Sequence, residues 1–239
     1  MKYRRFSDCS VSERLLQTLF IVLLGTGYLF AMVLIFVSVA PLDGKPGLSA
    51  EDIVYKYSGH RDGTRLEMAL KGSMRGHATD DERARIVSWI YTGAPRAAFE
   101  SDVMPILVRR CAGCHARGSG LPEFTGYEKV METVELDTGE SFGTLARVSH
   151  IHLFGTSIVF YLLGRIFILT ELPPWLKRTV VVVPFAAIAM DIGSWWFTRY
   201  AAGVFAYIVI IGGALMGLSF AFQSIVSLYQ IWFHRVEGR

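Results

Sequence analysis

Four long apolar runs set the pattern of this chain, at residues 15–40, 151–172, 179–197 and 201–233. Each is long enough to cross ~30 Å of hydrocarbon, which takes about 20 helical residues. The first exceeds the apolar core of a signal peptide, and Pro41 directly after Ser38-Val39-Ala40 argues for an uncleaved anchor. The last is longer than a bilayer needs, so an interfacial or protruding helix is expected over 223–233. Between the first and second runs the pattern changes. Thr79-Asp80-Asp81-Glu82 has the form of a capping box, Ile86, Trp89 and Ile90 make an apolar stripe, and Gly93 and Pro95 end the helix. A second helix is expected from Asp102 through Cys111, with Val103, Ile106, Leu107 and Arg110 at helical spacing, and a shorter one over 127–134.

The fold class is therefore all-α, with four transmembrane helices and a small helical domain inserted between the first and second. The domains are 1–40, 41–149 and 150–239. Composition agrees, because 52 % hydrophobic residues and a mean hydropathy of +0.37 are too apolar for an ordinary soluble protein. The net charge of +3 follows topology and does not point to nucleic acid. Lys2, Arg4, Arg5 and Arg14 precede the first run, Lys177 and Arg178 lie between the second and third, and Arg235 and Arg239 follow the fourth. By the positive-inside rule these segments are cytoplasmic, with only Arg199 against them. The expected location is the bacterial inner membrane, with both termini cytoplasmic and 41–149 periplasmic.

Candidate chemistry centres on Cys111-Ala112-Gly113-Cys114-His115. A C-x-x-C-H run reads as covalent attachment of one c-type haem: two thiols add to the two vinyl groups, and the following imidazole lies under the iron. A disulfide or a metal clip is the alternative, although zinc needs about four ligands and a redox dithiol needs no histidine next to it. The only other cysteine, Cys9, belongs to the cytoplasmic N-terminus.

The stretch Asp102–His115 resembles the haem-binding helix of small class I-like bacterial cytochromes c. Met74 with Thr79-Asp-Asp-Glu-Arg-Ala-Arg-Ile-Val-Ser-Trp-Ile-Tyr-Thr-Gly93 resembles their distal-methionine loop and last helix. Together these cover about one-third of the chain. In that family the haem helix comes first; here it follows the other two, so the domain is permuted or the upstream likeness is coincidental. The resemblance implies His115 and Met74 as axial iron ligands, with Gly72, Ser73 and Gly76 letting the loop approach the porphyrin. Met68, Met104, Met131, His60 and His77 stay open as distal ligands.

The function so implied is one-electron transfer, as a subunit of a larger respiratory or photosynthetic complex with membrane lipid, other membrane subunits and a redox protein as partners. An alternative is a quinol-oxidising module using His150, His152 and Asp191, which fall in the outer leaflet; another is a structural or assembly subunit. The three histidines of the membrane part do not face one another as a bis-histidine haem b site would require: His150 and His152 are two residues apart on one helix, and His234 lies at the opposite face. Arg109, Arg110 and Arg117 bracket the haem motif, as a docking surface or as partners of haem propionates or an interior carboxylate. Small residues at Gly155, Gly164, Gly203, Gly212, Gly213, Ala214 and Gly217 suggest close helix packing.

Overall fold

A computed structural model describes residues 4–233. Lys2, His234, Arg235 and Arg239, used above for topology, lie outside the described residues. The chain is all-helical, and among the described residues the only bridge of strand type is a single pair, Thr64 with Leu136. It divides into two compact units, one of residues 4–35 and 141–233 and one of 36–140.

The first unit holds the four helices long and apolar enough to cross a membrane: α1 (Val11–Ser38), α8 (Phe142–Phe167), α9 (Pro174–Tyr200) and α10 (Phe205–Trp232). This is a membrane-spanning protein. Helix α8 starts nine residues before the apolar run at 151, because Ser141 caps it by accepting from the Thr144 amide at 3.1 Å. Its first turns carry Arg147 and Ser149, and hydropathy hides them from a search for apolar runs. The inserted domain thus ends at Glu140, where 149 was expected.

The end of α10 does not protrude. Gln223, Ser224, Ser227 and Gln230 are buried within the unit, and the Trp232 indole donates to Thr18 Oγ1 of α1 at 3.0 Å. At the same end Arg5 pairs with Glu171, and Lys177 donates to the Thr170 carbonyl at 3.1 Å, in the connection that follows α8. The N-terminal segment and the α8–α9 loop therefore share one membrane face.

Close packing inside this unit uses two of the glycines. A Cβ at Gly212 would meet Asp191 Cβ at 2.8 Å, and one at Gly217 would meet Tyr28 Oη at 2.5 Å, beside the Tyr28–Phe220 stack. Gly155 and Gly213 face open space. Pro184 interrupts the α9 ladder, since it has no N–H to give the Val180 carbonyl four residues back. Gln223 of α10, fully buried, supplies the missing donor through Nε2 at 2.9 Å. Replacing Gln223 by Leu is expected to leave that carbonyl unpaired in the membrane interior and to cost about 1–3 kcal/mol, read as an earlier unfolding midpoint in detergent.

The second unit contains α2 (Ala50–Ser58), α3 (Arg65–Lys71), α4 (Asp80–Tyr91), α5 (Arg96–Ala98), α6 (Met104–Arg110) and α7 (Tyr127–Met131). Helix α4 carries the expected capping box, with Thr79 and Glu82 exchanging bonds at 2.9 and 3.3 Å. Residues Phe99–Val103 before α6 form one π-helical turn. Pro105 accounts for it, because it cannot close the helical bond to Ser101 and the preceding turn widens. Helices α4 and α6 share one core: Ile86 and Trp89 meet Phe99, Val103, Ile106 and Leu107, joined by Leu66, Leu70, Phe124 and Val130. Helix α7 ends at Met131, three residues before the expected stop.

The unit is closed by a pairing that sequence periodicity does not signal. Leu66, Arg65 and Arg61 donate backbone N–H groups to Thr133, Glu135 and Asp137, and the Asp137 amide donates to Gly63. Asp137 Oδ2 accepts from the His60 amide and ring at 3.0 and 2.9 Å. Burial works against the Asp137 charge, but bonds from His60 and Gly139 outweigh it and hold the carboxyl below its usual range.

Candidate functional site

The last turn of α6 runs directly into the cysteine motif. Cys111 and Ala112 donate to the Leu107 carbonyl, and Cys114 and His115 to the Cys111 carbonyl at 3.1 and 2.9 Å. This extra turn brings both thiols and the imidazole to one wall of a cavity of about 460 Å³, a size suited to a cofactor. Its apolar lining includes Leu66, Leu70, Leu107, Leu121 and Phe124.

His115 is buried and held on two sides. Its Nδ1–H donates to the Pro122 carbonyl at 2.8 Å, and its ring stacks on Phe124 at 4.4 Å between centroids. The carbonyl can only accept, so Nδ1 keeps the proton and Nε2 carries the free lone pair. That is the form needed in a metal ligand. Pro122 and Phe124 were not singled out from sequence; a proline seven residues past the histidine was the signal available.

Both thiols are free, Cys111 half-buried and Cys114 exposed. Burial pushes the Cys111 thiol up, as do the nearby Glu82 and Cys114. A redox dithiol needs the opposite shift.

Met74 lines the same cavity, as does His77. The other distal candidates are placed elsewhere. Met104 and Met131 pack on the helical core, Met68 reaches toward Gly63, and His60 stacks on Tyr55 at 3.8 Å while bound to Asp137. The residues present therefore fit a haem: two thiols and an imidazole on one side, a thioether within the same apolar space, and Arg65 and Arg110 among the lining for acidic substituents.

The arginines around the motif are paired. Arg109 and Arg110 meet Glu82 at 2.7 and 3.0 Å, and Arg117 lies 3.6 Å from Glu123. Glu82 thus caps α4 and ties it to the end of α6. The Thr79 amide, then Arg109 and Arg110, bring its carboxyl down to about 2 from an ordinary 4.5. A lowered acid favours the folded state above its unfolded pKa and loses that contribution as pH falls through the folded one. The stability of this unit should decline between pH 4.5 and 2 more steeply than in Glu82→Gln, as circular dichroism on acid titration would read.

In the membrane unit, His150 and His152 sit two to three turns inside α8, not at its entrance. His152 donates from Nδ1 to the Val148 carbonyl at 2.8 Å and meets Trp195 edge-to-face at 5.1 Å; Asp191, 6 % exposed, lies one helical turn before Trp195 on α9. His150 instead packs on Phe154. The structure brings two of the three proposed quinol-site residues around Trp195 and leaves the third apart.

Residues 124–238 match a family model, Aq_1264_TM, described as a transmembrane helical domain. The match takes in α7 and the spans α8, α9 and α10, beginning at the phenylalanine stacked on His115. No curated protein and no solved structure matches the chain.

Proposed function

We propose that this protein is a membrane-anchored c-type cytochrome that carries single electrons, with Cys111 and Cys114 holding one haem and His115 and Met74 on its iron. The observation that carries the reading is the His115–Pro122 bond inside an apolar cavity that also contains both cysteines and Met74. The haem, when bound, supplies the one-electron couple. The chain does the rest. Pro122 and Phe124 fix the orientation of His115, so its Nε2 need not reorganise on oxidation or reduction. Leu66, Leu70, Leu107 and Phe124 exclude water, and the thioether of Met74 favours the reduced state relative to a second imidazole.

Met74 and α4 lie ahead of the haem turn in sequence yet share its cavity and core, which supports a permuted domain over coincidence. On this reading the inserted domain is periplasmic, both termini are cytoplasmic, and the spans place the carrier in a bacterial inner membrane as part of a larger electron-transfer complex. A second reading, quinol oxidation beside α8 and α9, has in its favour the ring contact of His152 with Trp195, one turn from the buried Asp191 on α9. Redox titration with quinol present separates it from simple electron carriage.

The test is a denaturing gel of purified membranes stained for haem, with an alkaline pyridine spectrum of the same band. Covalently held haem of c type at the mass of this chain is the expected result. A band without haem overturns the proposal.

A further inference from the structure

Met74 and His77 are three residues apart on a tight turn, Arg75–His77, closed by the His77 amide donating to the Met74 carbonyl at 3.1 Å. Side chains at that spacing on a 3₁₀ turn eclipse one another. Both line the cavity that holds His115, Met74 half-buried and His77 exposed. Among the described residues the His77 ring has no hydrogen-bond, ion-pair or ring partner, whereas His60 and His115 are each anchored by a bond and a stack. A Cβ at Gly76, between the two, would meet nothing within 4 Å, so this part of the turn has room to pivot.

We propose that His77 is a second distal iron ligand that exchanges with Met74. The inference rests on the haem reading above. A thioether is a soft ligand suited to the reduced iron, and a neutral imidazole suits the oxidised one. With haem bound, Met74 Sδ would be the ligand of the reduced iron and a ring nitrogen of His77 would take its place on oxidation; the electron would leave to the redox partner, and the exchange itself would move no further electron. The turn then gives one haem two potentials, lower when histidine is bound.

The experiment compares the full chain with Met74→Ala, Met74→Leu, His77→Ala and Met74→Ala/His77→Ala, purified in detergent, by electron paramagnetic resonance of the ferric form and by carbon monoxide binding to the ferrous form. Both single Met74 variants are expected to stay six-coordinate and low-spin with a bis-imidazole signature, while the double variant becomes high-spin and binds carbon monoxide readily. Met74→Leu keeps the packing volume, so a folding defect confined to the alanine variant does not decide the matter. If Met74→Leu is high-spin and as open to carbon monoxide as the double variant, His77 does not ligate and this inference falls alone. If the parent chain holds no covalent haem, the function proposed above falls with it.

Discussion

Replacing Cys111 and Cys114 together by alanine is expected to abolish haem staining of the denatured chain and to unfold most of the inserted domain. The reason is that the cavity they border belongs to the core. Leu66, Leu70, Leu107 and Phe124 contribute both to its walls and to the cluster that joins α4 to α6. Without a fixed occupant, about 460 Å³ of apolar space must fill with water or collapse. Cavities cost roughly 24 cal/mol per Å³ when the surroundings hold their shape, and whole domains have only about 5–15 kcal/mol to lose. Circular dichroism of the double variant should show loss of helix from this unit while the four spans persist, and limited proteolysis should cut within 41–140. Full helix content with full haem stain in the double variant would refute the attachment site.

Gly59→Ala is the second change with a large expected effect. Gly59 has φ +72° and Gly139 has φ +70°, both in the left-handed region that side chains avoid. The two face each other: a Cβ on Gly59 would run into the backbone of Asp137 and Gly139, and one on Gly139 into that of Tyr57 and Gly59. The obstacles are backbone atoms, which cannot swing aside as a side chain would. Left-handed strain and overpacking each cost about 1–3 kcal/mol, so a loss of roughly 2–5 kcal/mol is expected. A thermal melt of the isolated membrane protein should show it as a lower first transition. Gly47→Ala serves as control for conformation alone, since Gly47 also has positive φ but open space around it.

What the sequence could show depended on how local the signal was. The capping box of α4, the apolar stripe of α6 and the four spans are written within a few turns of chain, and each appears at about its expected place. The start of α8 lies outside the apolar run because a polar first third adds nothing to it, although Ser141 with Thr144 was legible as a cap. Helices α2 and α3 are short and mixed in polarity, and the pairing of 61–66 with 133–137 joins segments some 70 residues apart. No periodicity carries such a contact. At the candidate site the cysteines and His115 were legible from spacing, and Met74 only through a resemblance. Pro122 and Phe124 act through a backbone carbonyl and a ring face, roles that residue type alone does not announce.

The pairing of 61–66 with 133–137 also sets an order of events during synthesis. His115 emerges ahead of the segment that closes the domain, with 25 residues still to come before Glu140. At about 5–20 residues per second that is an interval of about 1–5 s in which α6 and the cysteine turn exist without their clasp. Cys114 is exposed even in the finished fold, whereas Cys111 is half-buried there. On the haem reading proposed above, a nascent chain would present both thiols while the cavity still lacks the wall that Glu132 and Thr133 supply, and the last residues of the insert would close it.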